Sequence, residues 1–279
     1  VRFETLIDLA EEEKVLNMDG ARERIWRAFD SLVEDKKLSL LGFDRALKEQ
    51  REQEVEEFVV ADSVLYQQEQ DLADVFKKSG RSKKNLSVAD LDELVADGVE
   101  LNEYQQRAVL AAAQYNQVLL TGGAGSGKTF TIAAITRLYQ RQGLHVVLAA
   151  PTGKAARRMQ EVVKHPASTI HRLLKYNGRV FSEEKIPADV VIVDEVSMVD
   201  VPLAWHLFRA IDLSKINVVL VGDHNQLPPV GPGNLLRDLV NRRPIPTVVL
   251  DKVVRQAGVL MENSRALLKG EVRPTSEDA

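Results

Sequence analysis

The sequence predicts an α/β fold, a parallel sheet covered by helices, preceded by a small, mostly helical domain. Two observations carry this prediction. Apolar, β-prone runs recur at 117–121, 145–149, 189–193, 216–221 and 246–250, separated by helical stretches such as 129–142 and 154–163. Unbroken apolar strands that alternate with helices belong to a parallel sheet buried on both faces, because the crossover helices cover it. The second observation is a change of character along the chain. Residues 1–100 hold 15 Lys and Arg against 25 Asp and Glu, whereas residues 101–279 hold 22 against 16. An acidic first part precedes a mildly basic second part that suits an anionic partner.

The elements follow in order. In residues 1–80, Ile25, Ala28, Phe29, Leu32 and Val33 form a helix-period stripe between Gly20 and the Lys36-Lys37 pair. A charged stretch from Glu49 to Glu57 gives way to Phe58-Val59-Val60, which is β-prone, and then to a second stripe through Val64, Leu65, Leu72, Val75 and Phe76. Helices with a small charged hairpin fit this pattern. Residues 79–85 are polar and rich in helix breakers, so the linker is expected there, with a short helix from Asp90 to Ala96 completing residues 81–100. The second domain is expected to cover 101–279.

Composition bounds the function. A chain of 279 residues with 44% hydrophobic and 28% charged residues is neither disordered nor fibrous and has room for about two domains. With no cysteine, disulfides, thiolate zinc sites and cysteine nucleophiles are excluded, and a cytoplasmic location is expected. No apolar run approaches the roughly 18 residues of a membrane span, so no membrane partner is expected. The chain starts at Val1 without an initiator methionine and is expected to be a fragment. Neither zinc-spaced His/Cys clusters nor a G-x-S-x-G hydrolase signature appears.

Chemistry concentrates at strand ends. Gly122, Gly123, Ala124, Gly125, Ser126, Gly127, Lys128 and Thr129 match G-x-x-x-x-G-K-[ST] between a predicted strand and a predicted helix. Glycines let the backbone wrap a phosphate, the helix N-terminus adds positive potential, Lys128 reaches the β and γ phosphates, and the Thr129 hydroxyl ligates Mg²⁺. The apolar run at 190–193 ends in Asp194 and Glu195. At a strand's C-terminal end these carboxylates suit Mg²⁺ binding by Asp194 and water activation by Glu195, which favours hydrolysis over nucleotide storage. Without an N-K-x-D guanine signature, ATP is the expected nucleotide.

Four further groups each admit two readings. Gln226, after the run ending at Val221, is a γ-phosphate contact or part of a Gly/Asp/Asn/Pro turn. Gln105, at capping-box spacing from Asn102, contacts adenine or caps a helix. Arg255 is a γ-phosphate ligand or an ordinary surface charge. Lys154, Arg157 and Arg158, on one helix face, clamp phosphates or form a solvated face, with Thr152 and the Ser168-Thr169 pair before His171 as further backbone contacts for a nucleic acid.

Taken in order, LNEYQ at 101–105, GGAGSGKT at 122–129, APTGKAARRM at 150–159, STIHRLL at 168–174, VIVDEVSMVD at 191–200, VGDHNQLPPVGPG at 221–233 and VVRQ at 253–256 resemble the motifs of RecD-like superfamily 1 DNA helicases, of the stand-alone RecD/TraA type rather than conjugative relaxases. The resemblance covers about residues 100–270. It implies a RecA-like P-loop NTPase fold, ATP and Mg²⁺ as cofactors, single-stranded DNA as partner, and five-prime to three-prime translocation. It also implies roles: Gln105 at adenine, Lys128 and Thr129 in the P-loop, Asp194 and Glu195 in motif II, Gln226 as motif III sensor and Arg255 at the γ phosphate. Pro151, Thr152 and Lys154 match the strand-contacting motif Ia, and Thr169 and His171 fall in motif Ib. Residues 1–80 loosely resemble the winged-helix-like region preceding this motor. Such a motor needs two RecA-like domains, and only 29 residues follow Leu250, so this chain is expected to be the N-terminal region plus the first motor domain. Alternatives are an RNA-directed or relaxase-fused superfamily 1 ATPase, a nucleotide-gated binding module without catalysis, and a single-domain ATPase acting as a ring.

Overall fold

The computed structural model describes residues 31–32, 35, 37–41, 59–79, 86, 88 and 100–250. The expected stripe from Ile25 to Val33 lies outside them apart from Leu32, as do most of the linker, the Asp90 to Ala96 helix and Arg255. The chain divides into two compact units between Asp71 and Leu72.

In the first unit, β1 (Leu38–Leu41) pairs antiparallel with β2 (Val59–Asp62), Leu38 opposite Asp62 and Leu41 opposite Val59. The β-prone Phe58-Val59-Val60 stretch thus enters a strand, whereas β1, Leu38-Ser39-Leu40-Leu41, is too short to show a period. Helix α1 (Ser63–Ser79) runs from this unit into the second. Of its predicted stripe, Leu72 and Phe76 are buried while Val64 in the first turn is exposed. Phe76 meets Phe208 edge to face, ring centroids 4.9 Å apart.

The second unit is a six-stranded sheet. Helix α2 (Glu103–Gln114) leads into β3 (Gln117–Thr121), followed by α3 (Lys128–Arg141), β4 (Val146–Ala150), α4 (Gly153–Val163), β5 (Ala167–Thr169) and the single turn α5 (Ile170–Leu173). Next come β6 (Val190–Val193), a 3₁₀ turn (Val196–Met198), α6 (Val201–Ala210), β7 (Asn217–Gly222), α7 (Leu235–Arg242) and β8 (Thr247–Val249). The strand order is β5-β4-β6-β7-β3-β8, every pair parallel. Val and Leu fill β3, β6 and β7 because strands covered on both faces have no solvent side for polar residues.

Packing locks the first crossover helix to the sheet. Ile132, Ile135, Leu138 and Tyr139 of α3 are buried with Val118, Leu120, Leu148 and Ile192 of three strands, each fully buried large side chain contributing about 1.5–3 kcal/mol. The Tyr139 hydroxyl donates to the Ala112 carbonyl at 2.9 Å, tying α3 to α2, and burial pushes its pKa up. Because all strands are parallel, the loops after β3, β6 and β7 leave the same edge. Since β6, β7 and β3 are neighbours, those three loops meet there.

Candidate nucleotide site

The loop at 122–127 is shaped by its glycines for different reasons. Gly125 and Gly127 take φ of 77° and 86°, a left-handed conformation that side chains resist. Gly122 instead allows close approach, since a Cβ there would stand 2.7 Å from the Leu250 carbonyl oxygen. At Gly123 the nearest atom to such a Cβ is Asn225 Nδ2 at 4.0 Å, so close packing does not require the glycine there. The Ser126 hydroxyl is buried without a hydrogen-bond partner among the described residues. A phosphate cradled by this loop supplies the oxygens that such a group lacks.

Lys128 opens α3 beneath this loop. Its ammonium donates to the carbonyls of Gly122 (2.7 Å) and Gly123 (2.9 Å) and lies 3.9 Å from Asp223 Oδ2. Thr129, next on the helix, is half-buried.

Asp194, 6% exposed, follows β6 directly, and its Oδ1 accepts the Glu195 amide at 2.8 Å. Burial pushes its pKa up to about 6, the Glu195 charge adds to the rise, and the Glu195 N–H, Lys128 and Arg158 oppose it. Glu195 itself takes φ 55°, unusual for a side-chain-bearing residue and frequent where function holds a backbone in place. Its Oε2 is buried without a partner among the described residues, so one carboxylate oxygen is left to accept a proton.

The loop after β7 closes the third side. Asp223 Oδ1 accepts the Asn225 amide, His224 Nδ1 lies 2.8 Å from Thr121 Oγ1 at the end of β3, and Gln226 Oε1 accepts the Ser197 hydroxyl at 3.2 Å. Gln226 is exposed, so both an Asx turn and a side chain reaching across to the carboxylate loop occur together.

Gln105 takes the capping role its spacing allowed. Its Oε1 accepts the Asn102 amide while Asn102 Oδ1 accepts from Tyr104 and Gln105, a complete capping box. Its Nε2 is nevertheless buried and without a partner among the described residues, leaving a donor available for a ring-nitrogen acceptor of a base.

At the β4 and β5 ends, Pro151 and Thr152 are half-buried, and the Thr152 hydroxyl caps α4 through the Ala155 amide at 3.2 Å. Thr169 caps α5 through the Arg172 amide in the same way. Both hydroxyls are thus engaged with their own backbone. Lys154, Arg157 and Arg158 share an open groove of about 470 Å³ with Gly153 and Glu161, and the exposed His171 ring lies 5.4 Å from Tyr176 and 5.5 Å from Phe181.

No group of three or more His, Cys, Asp or Glu able to hold a metal occurs among the described residues. Thr129 and Asp194 would offer a divalent cation few protein ligands, which suits Mg²⁺, an ion that keeps several waters when bound. Among the described residues no helix is long and apolar enough to cross a membrane. Sequence reasoning missed Asp223, His224 and Ser197. Asp223 follows a buried strand as Asp194 does and carries the same signal; the partners of Ser197 and His224 are set by tertiary contact alone.

The family described as AAA domain matches residues 100–277. Over 176 residues the chain is 43% identical to the ATP-dependent RecD2 DNA helicase of Deinococcus radiodurans, covering 61% of this chain and 24% of that protein. It is 35% identical over 183 residues to the RecBCD enzyme subunit RecD of Mycolicibacterium smegmatis, covering 55% and 32%. A crystal structure of Pif1 helicase from Candida albicans superimposes with a TM-score of 0.47 at 22% identity, covering 63% of this chain and 45% of that one. The chain spans about a quarter to a third of the length of these two curated relatives.

Proposed function

We propose, since the chain belongs to the AAA domain family and is RecD-like, that it carries the nucleotide site of an ATP-dependent DNA helicase. On this reading residues 101–279 are the first RecA-like motor domain of a longer protein and residues 1–80 an accessory domain, with 81–100 between them. The motor tracks single-stranded DNA, five-prime to three-prime, in the cytoplasm. The observation that carries the reading is the convergence of three neighbouring strand ends: Lys128 after β3, Asp194 and Glu195 after β6, and Asp223 and Gln226 after β7.

The chain's own groups divide the work. Lys128 exchanges loop carbonyls for β- and γ-phosphate oxygens, which its ammonium binds more strongly as charged acceptors. Glu195 orients the attacking water and takes its proton at the unpartnered Oε2. Gln226 holds the γ phosphate through its amide, Gln105 donates Nε2 to the adenine ring, and Arg255 adds positive charge as the bond to the leaving phosphate lengthens. Mg²⁺, held by Thr129 and Asp194, screens the phosphate charge when bound. Pro151, Thr152, Lys154, Thr169 and His171 line the proposed strand path, where Lys154 and the neighbouring arginines supply the phosphate contacts.

Steady-state ATP hydrolysis by the full-length protein, measured without nucleic acid and with single-stranded DNA, duplex DNA or RNA, tests this, with Lys128→Ala as the blank. Stimulation by single-stranded DNA is expected. Stimulation by RNA alone would make the enzyme RNA-directed, and turnover indifferent to nucleic acid would leave an ATPase with another partner.

A further inference from the structure

The hydroxyl of Ser197 is an unassigned part of this site. It sits in the middle of the 3₁₀ turn that follows Asp194 and Glu195, 4% exposed, and donates to Gln226 Oε1 at 3.2 Å, across from one strand-end loop to the next. Among the described residues it is the only side chain that engages the Gln226 amide group. Three other close approaches fasten the same two loops. The Val201 amide donates to the Pro232 carbonyl at 3.0 Å. Gly231 lies so near Asp200 that a Cβ would fall 1.9 Å from its Oδ2, and a Cβ on Gly222 would stand 3.3 Å from the Ser197 nitrogen. Asp200 is itself fixed, since its Oδ1 accepts the Leu203 amide and caps α6.

A serine hydroxyl can meet either end of a carboxamide, so this contact fixes where the Gln226 side chain sits. With Oε1 receiving the Ser197 hydroxyl, the NH₂ end is left for an anionic phosphate oxygen.

We propose that Ser197 is a positioning residue that holds the Gln226 side chain against the loop bearing the two carboxylates and so couples γ-phosphate contact to that loop. This rests on the ATPase reading above. It is tested in the full-length protein with Ser197→Ala, Ser197→Thr, Gln226→Ala and the Ser197→Ala/Gln226→Ala double variant, with Lys128→Ala as blank. Ser197→Ala is expected to lower kcat about 10–100-fold, as misplacement of a reacting contact does, with KM for ATP and the thermal midpoint little changed. Threonine, which keeps the hydroxyl, recovers most of the rate. In the Gln226→Ala background the serine substitution costs nothing more, since residues acting through one contact are not additive. Wild-type turnover in Ser197→Ala, or losses that multiply in the double variant, overturns the proposal while leaving the ATPase reading intact. Wild-type activity no higher than that of Lys128→Ala overturns both.

Discussion

Asp194 is a buried carboxylate whose charge the fold tolerates at a cost, and replacing it with asparagine measures that cost. Its pKa stands at about 6 against an ordinary 3.8, chiefly because burial disfavours the charged form. The folded state thus prefers the protonated acid more than the unfolded state does. That preference contributes stability below pH about 4 and is lost as pH rises through about 6, so at pH 8 the fold carries the full penalty of the ionised group. A difference of roughly two pH units at ~1.36 kcal/mol each gives about 3 kcal/mol. Asparagine keeps the Oδ1 that accepts the Glu195 amide at 2.8 Å but never ionises. Denaturant melts of wild type and Asp194→Asn, run with chelator and without nucleotide from pH 4 to pH 8, are therefore expected to coincide at the acid end. They should separate between pH about 4 and 6, with the variant up to about 3 kcal/mol more stable at pH 8, roughly 5–10 °C in Tm for a domain of this size. The reasoning fails if the variant is the weaker protein at pH 8 or if the difference does not change with pH. The same variant should lose hydrolysis, so stability and activity move in opposite directions.

Gly122→Ala sets a Cβ 2.7 Å from the Leu250 carbonyl oxygen and is expected to cost about 1–3 kcal/mol in urea melts, an unchanged midpoint meaning that β8 yields freely. Met159→Ala empties a fully buried site between α4 and the sheet and should cost about 2–5 kcal/mol by the same measurement; a loss under 1 kcal/mol would show that the site collapses. Arg255→Ala should slow turnover by about 10³–10⁵ while sparing nucleotide affinity, read by single-turnover kinetics beside equilibrium binding, and near-normal turnover removes the residue from the mechanism. Lys154→Ala should weaken single-stranded DNA binding alike on all sequences and reduce the log–log salt slope by about 0.7, whereas an unchanged slope would place Lys154 off the strand.

What was legible in the sequence is what is local or forced by burial. The runs at 117–121 and 189–193 read as strands because a parallel strand has no wet face, and they lie within a residue of β3 and β6. The edge strand β5 was not legible: Ala167, Ser168 and Thr169 are small or polar and become a strand only through pairing with β4. The P-loop was legible because its glycines, lysine and threonine are contiguous. Gln105 shows how a correct spacing underdetermines a role, since one end of the same amide completes a capping box and the other end is left without a partner. Thr152 and Thr169 make the complementary point: their hydroxyls cap α4 and α5, a local role that the motifs resembling strand contacts do not reveal. The contacts of Ser197 with Gln226 and of Thr121 with His224 span 29 and 103 residues, distances over which no sequence period operates.

Those two long-range contacts also tie the three loops to one another. Lys128 is shared between two carbonyls of its own loop and the Asp223 carboxylate. A triphosphate that draws the ammonium away leaves Asp223 without its cation in a buried setting, where an unpaired carboxylate is costly. Asp223 anchors the turn that carries His224, Asn225 and Gln226. His224 ties that turn back to the end of β3, and Gln226 ties it forward to the turn behind Asp194 and Glu195. In the proposed function the phosphate-binding lysine is joined to the carboxylate loop by contacts within this one domain.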